Sequence, residues 1–497
     1  MKHIKAIVML LILCASVVIA PLEAFAASTD SSSSSTVTAT DDSLKKIKEK
    51  GTLVVGTSAD YPPYEFTTKS DGDTEYVGFE MSLARKFAKD LGVKCVIKNM
   101  DFDSLLVAVE THKVDVVIAG MNATDERKKS VDFSDPYYTG TNYFLINKTD
   151  KNKYKSAKDF AGKNLGAQTG SLQYNMVKNN VSKANLKGLA KLTSLVIALQ
   201  SHKVDGVLMD QATAKAFVSN NPGLMAFPSK LKMQTTGVAM AFPKGADSLR
   251  LDANKTIAKV KADNTINKKW IPQAAKYMET SKKTNTVASY WNLFAKGVEY
   301  TLLITVVAVV IGFVLGTLLA LMRLSDSKIL HGIAICYIEF IRGTPMLVQI
   351  MFVYFGIGAV IQSLPAIVAG IIAVSVNSGA YVAEVIRSGI QSLPVGQTEA
   401  ARSLGMTKKQ TFQYVILPQA MRNIWPALGN EFITLLKDSS LVSTIGVGEL
   451  MYQTQLVQSD TYKGVLPLFV AMMIYFVLTF TLTRIMNYFE GRMKHAH

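Results

Sequence analysis

Cysteine is almost absent from this chain: three residues in 497, at positions 14, 95 and 336. Cys14 sits in an apolar run near the amino terminus and Cys336 in a second apolar segment, so Cys95 is alone in the stretch between them. No intrachain disulfide can staple that stretch, and burial must stabilise it unaided. The six histidines are isolated and the cysteines far apart, so no group has metal-ligand spacing and no metal or other cofactor is expected on this chain. A phosphate loop of the form G-x-x-x-x-G-K-[ST] is missing too; Gly162-Lys163 is followed by Asn164, which excludes ATP hydrolysis by that device. Acid is the scarcer charge, with 38 Asp and Glu against 54 Lys and Arg, a formal net charge of +16. From Trp291 onward there are 14 basic and 10 acidic residues, so +12 lies before it, on scattered lysines without clustered arginine and aromatics. That pattern reads as a soluble surface and excludes nucleic acid as a partner. Nothing here has the makings of an enzyme.

What is present is a hybrid: 49% hydrophobic and 19% charged residues suit soluble and membrane parts in one chain. Lys2 and Lys5 precede an apolar run to Ala20, and Ala24-Phe25-Ala26 offers small residues, so 1–26 reads as a secretory signal and the chain beyond it as exported. Residues 27–41 form a Ser/Thr-rich spacer with too little apolar surface to order itself. From Asp42 strands and helices alternate. VGFEMSLARKFAKDLG reads as a helix, KCVIKNM as a strand, FDSLLVAVETHK as a helix and VDVVIAG as a strand. The rhythm restarts at NLGAQTG, and LLVAVETHKVDVVIAG and LVIALQSHKVDGVLMD are alike, so two lobes built on one unit are expected. We place lobe 1 at about 42–138 and 238–278 and lobe 2 at about 139–237. In such sheets ligands bind beyond the carboxyl ends of strands, which points to 120–127, 168–172 and Asp210.

A polar linker, 279–292, leads into a permease-like region, 293–497. Its first apolar run, VEYTLLITVVAVVIGFVLGTLLALM, is long enough to cross a bilayer. Further spans are expected near 333–360, 364–381, 427–446 and 466–489, the fourth of the five interrupted by Glu431, Lys437 and Asp438. Five spans starting outside leave the carboxyl terminus in the cytoplasm, with Arg323, Lys328, Arg402, Lys408, Lys409, Arg492 and Lys494 on the cytosolic side. Glu339, Arg342, Glu384, Arg387 and Glu431 should face protein, water or the cytosolic boundary, since charge at membrane depth is costly. Between spans lies EAARSLGMTKKQTFQYVILP: Glu399, Ala400 and Ala401 favour a helix, Gly405 can make a sharp turn, and Thr407 can cap a second helix that Pro418 limits.

That stretch resembles the EAA loop of importer-type ABC permeases, placed here at about 387–422. FIRGTPMLVQI and NSGAYVAEVIRSGIQSLPVGQ look like permease subunits of the polar amino acid uptake family. TLVVGTSADYPPYEF, VGFEMSLA, MDFDSLLVAV, AGMNATDERKKSVDFSDPYY and KVDGVLMD resemble its solute-binding proteins, with Glu80 and Ser82 where the signature usually has aspartate or another acid. The resemblance implies a type II two-lobed α/β binding domain, followed by an all-α membrane domain of about five helices with the type I permease fold. It implies import of glutamine or of arginine or another basic amino acid across the plasma membrane, driven by ATP and magnesium on a separate ATPase. Two ATPase copies would dock at Glu399, Ala400, Ala401 and Gly405, and the membrane domain would form a homodimer in the lipid bilayer.

The resemblance also assigns the pocket. Arg127 would hold the α-carboxylate, with Gly120 and Asn122 beside it, and Asp210 the α-ammonium, though Asp210 alone reads equally as a cap for the helix after it. Tyr61 and Phe102 would flank the side chain. Ser58, Gln168, Ser171 and Leu172 would adjust selectivity; Ser58 stands where glutamine and cationic amino acid binders have aspartate, so those two ligand classes stay open. An amino acid-gated channel of the glutamate-receptor-like type is the alternative, but there the pore interrupts the clamp, whereas here both lobes finish before the first span. A dehydratase-like exported enzyme would lack the EAA loop.

Overall fold

The computed structural model describes residues 41–495 apart from 71–72, 233–236, 285, 359–360, 362–363 and 462. The signal segment and all but Asp41 of the spacer lie outside the described residues.

Helix α1 (Ser43–Lys50) leads into β1 (Thr52–Thr57), the first strand of lobe 1. After it come β2 (Asp60–Tyr61), β3 (Glu65–Ser70), β4 (Asp73–Val77), α2 (Phe79–Leu91), β5 (Lys94–Asn99), α3 (Leu105–Glu110), β6 (Val116–Val117) and β7 (Val131–Phe133). Lobe 2 holds β8 (Asn142–Asn147), β9 (Asn164–Gln168), α4 (Leu172–Asn180), β10 (Asn185–Leu189), α5 (Leu192–Gln200), β11 (Gly206–Asp210), α6 (Gln211–Asn220) and β12 (Leu224–Pro228). The chain then returns to lobe 1 through β13 (Ala241–Pro243), α7 (Asp247–Ala262) and α8 (Ile271–Thr284).

The two large sheets have the same plan. Lobe 1 is ordered β5-β1-β6-β13-β7 and lobe 2 β10-β9-β11-β8-β12. In each, three parallel strands are followed by an antiparallel strand that arrives from elsewhere in the chain. The repeated helix–Lys-Val-Asp–strand phrase is the same crossover in both lobes, with α3 feeding β6 and α5 feeding β11. The small β2-β3-β4 sheet lies outside the repeated plan.

The segment expected as a linker is taken up by the end of α8, a 3-10 turn at Val287–Tyr290 and the start of α9 (Trp291–Arg323). Tyr290 is buried and its hydroxyl donates to Asp460, which pins this end of the junction. The membrane domain continues with α10 (Lys328–Arg342), α11 (Met346–Met351), α12 (Ala366–Gln391), α13 (Val395–Ser403), α14 (Lys408–Thr411), α15 (Leu417–Asp438), α16 (Leu450–Thr461) and α17 (Val465–His495). Among the described residues three helices are long and apolar enough to cross a membrane: Val287–Arg323, Ala366–Gln391 and Val465–Gly491. Lys328–Arg342 and Met346–Ile357 make a fourth if taken together, bent by 104°. The break falls at Gly343 to Pro345, where proline cannot continue a helix. Residues 427–446 are the end of α15 and a 3-10 turn, and their three charges keep them out of that class.

Val306, Val310 and Val314 on α9 and Met472, Phe476 and Val477 on α17 are exposed, which suits helices that face lipid. The opposite face of α9 is small: a Cβ at Gly316 would lie 2.6 Å from Val382 of α12. Glycine there lets the two backbones approach. Glu384 of α12 accepts from Arg323 at 2.5 Å and from Arg387, with Arg342 at 4.0 Å, so its charge is shared among helices. Glu339 is exposed and Glu431 half-buried.

Lobe 1 rests on the membrane domain. Helix α16 packs along β3, its Tyr452 hydroxyl 3.0 Å from that of Tyr76 and 3.1 Å from Asn99 Nδ2, which donates to it. Ser459 Oγ donates to the Ala59 carbonyl at 3.1 Å. Lys113 Nζ donates to the Ile361 carbonyl at 3.2 Å and lies over the Tyr354 ring. One apolar cluster runs from Met100 and Leu105 to Tyr354, Val442 and Ile445.

Candidate ligand-binding site

The carboxyl ends of the parallel strands in the two lobes face one cavity. Ser58 follows β1, Phe102 opens the turn after β5, Gly120 and Asn122 follow β6, and Gln168 and Asp210 end β9 and β11. Together with Tyr61, Ser171 and Leu172 these residues line the cavity, so nine positions singled out from the sequence meet at one place.

Several are fixed by local bonds. Ser171 caps α4, accepting from Tyr174 N at 3.1 Å, and its hydroxyl donates to the Gln168 carbonyl at 2.7 Å. Gln168 Nε2 donates to the Ala190 carbonyl at 3.0 Å. Gly120 has φ +58°, a conformation that side chains disfavour, and its N–H is held by both oxygens of Glu80 at 3.0 and 2.9 Å. Glu80 also accepts from the Tyr137 hydroxyl at 2.6 Å. An acid at position 80 therefore has a local task, fixing the loop that carries Gly120. Burial pushes the Glu80 pKa up, and these bonds, with one from Glu65, hold it back.

Asp210 occupies the cap position of α6 yet makes no side-chain cap bond. Its carboxylate accepts from the Tyr61 hydroxyl of lobe 1 at 2.7 Å and from Gln173 Nε2 at 3.2 Å. Burial pushes its pKa up to about 6 against those two bonds.

Arg127 lies outside the cavity wall but next to it. It is 8% exposed, its guanidinium is 5.5 Å from the Phe102 ring centroid, and it donates to the carbonyls of Asn122 and, across the cleft, Gly170, both at 2.8 Å. Burial lowers its pKa to about 10, so it stays cationic at neutral pH. Asp60 accepts from Leu192 N at 2.7 Å, and Lys191 pairs with Asp101 at 2.8 Å, both across the lobes. Among the described residues, Tyr61–Asp210, Arg127–Gly170, Asp60–Leu192 and Lys191–Asp101 thus make polar contacts across the cleft.

Glu65 and Gln173 also line the cavity, and no pattern in the sequence marks them. Glu65 is the register partner of Tyr61 in the β2-β3 pairing, so the return of the chain after Pro62-Pro63 brings the two side by side. Gln173 is two residues after the cap Ser171, in the first turn of α4. Each lies one structural step from a residue that the sequence does single out.

Glu399 and Ala400 are exposed and Ala401 is buried on α13. Gly405 turns the chain with φ +83°, and Thr407 caps α14 in a reciprocal pair with Gln410. The second helix does not stop at Pro418. Residues 412–416 form a π-helical turn and Pro418 falls in the first turn of α15, where no amide donor is needed, so the helical path continues.

Two family models cover these regions: bacterial extracellular solute-binding proteins, family 3, over 53–273, and the binding-protein-dependent transport system inner membrane component, over 308–495. An arginine transport system permease protein of Bacillus subtilis is 40% identical over 200 residues, 40% of this chain and 91% of the relative. A putative glutamine transport system permease protein of Rickettsia typhi is 38% identical over 199 residues, again 40% and 91%. The chain belongs to the polar amino acid ABC importers, as a solute-binding domain fused to a permease domain. An amino acid ABC transporter substrate-binding protein of Streptococcus pneumoniae, solved with L-arginine, is 39% identical and covers 47% of this chain and 98% of its own, with a TM-score of 0.46. The relatives of this importer are permeases and solute-binding proteins rather than enzymes. It is a multi-pass membrane transporter subunit.

Proposed function

We propose that the chain imports a polar amino acid, glutamine or a basic one such as arginine, with its binding domain outside the cell and its carboxyl terminus in the cytoplasm. Arg127 holds the α-carboxylate, because a planar guanidinium can give it two parallel hydrogen bonds. Asn122 and Gly120 add contacts at the same end. Asp210 takes the α-ammonium, and the Tyr61 and Phe102 rings flank the side chain, with Ser58, Gln168 and Ser171 around it. A ligand touching both lobes stabilises the closed clamp by its differential affinity for that state.

A separate ATPase, in two copies carrying ATP and magnesium, docks on α13 through Glu399, Ala400, Ala401 and Gly405 and drives alternating access in a homodimer of the membrane domain. The exposure of Leu404, 83%, beside that motif supports a surface made for a partner.

The observation that carries this reading is the convergence of Tyr61 and Phe102 from lobe 1 with Asp210 from lobe 2 on one cavity. Titration calorimetry of the full chain in nanodiscs against the twenty amino acids tests it. Arg127→Ala should weaken binding more than about a hundredfold, the loss of a buried charge-assisted pair, in a chain that still folds. Unchanged affinity in that variant would refute the carboxylate assignment.

A further inference from the structure

Glu65 is 1% exposed, sits in the cavity wall and has carboxyls for neighbours. Burial and then the charge of Glu80 act on its carboxyl and favour its protonated form. Among the described residues no donor reaches Glu65 Oε2. Asp210 lines the same cavity, and Asp60 is close enough to act on Glu65 as well. No lysine or arginine is in the wall: Lys191 is engaged with Asp101, and Arg127 turns its guanidinium to Asn122 and Gly170.

In the proposed import function the ligand's ammonium answers Asp210 and its carboxylate answers Arg127. Glu65 is then a second acid in the wall with no opposite charge. An amide side chain would leave it so, since the amide brings no charge. A guanidinium or ammonium would stabilise the ionised form of Glu65, and it could lie against the Tyr61 and Phe102 rings.

We propose that the transported amino acid carries a cationic side chain and that Glu65, which lines the cavity beside Tyr61, is the counter-charge that selects it. Glu80 is the fixed member of the pair, because Gly120 and Tyr137 already orient it, and Glu65 is the member that faces the ligand. Burial, with the charge of Glu80 next, pushes the Glu65 pKa well up.

This deepens the import reading and rests on it, and a ligand-side comparison separates the two. The full chain in nanodiscs is titrated with L-arginine, with L-citrulline, which replaces the guanidinium by a neutral group of the same shape, and with L-glutamine. Arginine should bind at least about tenfold more tightly than citrulline or glutamine, the worth of a buried charge-assisted contact. Glu65→Gln should collapse the arginine-to-citrulline ratio to within about threefold. Equal binding of arginine and citrulline by the wild-type chain, or tighter binding of glutamine, would overturn the assignment of Glu65 while leaving amino acid import intact. A ratio unmoved by Glu65→Gln would do the same. Failure of every amino acid to bind would sink the import reading and this inference with it.

Discussion

The ligand cavity and the EAA segment are both built to meet something else, and they do so in opposite ways. In the cavity the polar groups are buried and nearly all bonded, as with Asp210 to Tyr61 and Gln173, and what is left over among the described residues is one carboxyl oxygen, Glu65 Oε2, without a donor. On α13 and the turn after it almost everything is uncovered, and what is left over is apolar, with Leu404 83% exposed. A small polar solute is recognised by unmatched charge in a dry place, where one contact is worth much. A protein partner is recognised by uncovered area, where many modest contacts add. Changes in the cavity should therefore alter affinity, and changes on α13 should alter coupling.

The sharpest way to break that division is Glu399→Lys. Glu399 is exposed and touches nothing in the cavity. Reversing its charge should leave amino acid affinity within twofold or so and reduce ATP-driven uptake by more than about a hundredfold, since like charges brought together at an interface cost several kcal/mol. Uptake by reconstituted vesicles beside calorimetry of the same variant gives both numbers. Normal uptake would remove α13 as the docking surface.

Much of this division is legible in the sequence, because its carriers are local. The Glu399-Ala-Ala…Gly405 spacing is a helix and a left-handed turn, and both are there. The strand-end rule locates Gln168 and Asp210 because a parallel sheet puts its carboxyl ends on one side. Glu65 is hidden, since only the antiparallel β2-β3 return sets it beside Tyr61, and short strands around two prolines have no periodicity to read. Pro418 reads as a stop because the rule for proline assumes α-helical bonding, and a π-turn relaxes it. The junction at 279–292 looks like a polar linker, yet the chain stays helical up to Thr284 and Tyr290 is anchored by a residue 170 positions away, which no local pattern reveals.

A second test sharpens the electrostatic half of the comparison. The Asp210 carboxyl is pushed up to about 6 by burial, so in the empty clamp it begins to bind a proton below that pH. The ligand's ammonium favours the ionised form, so affinity should be full above about pH 6 and should weaken toward tenfold per unit below it. Calorimetry between pH 5 and pH 8 would trace this. A flat profile would mean that Asp210 does not hold the ammonium.

The smallest effect is expected between the two regions, where lobe 1 meets α16. Tyr452 touches Tyr76 and Asn99, and Asn99 in turn accepts from Ala59 N at 2.8 Å, next to Ser58 of the cavity wall. Ser459 holds the same Ala59 by its carbonyl. The wall of the cavity is thus gripped by a helix of the membrane domain through neutral hydrogen bonds, each worth about 1 kcal/mol net. Tyr452→Phe keeps the ring and removes the hydroxyl, so binding should be unchanged while uptake drops by about fivefold, the equivalent of one such bond. A drop in affinity of the same size would place Tyr452 with the cavity. A drop in uptake alone would place it with the machinery that reads whether the clamp has closed.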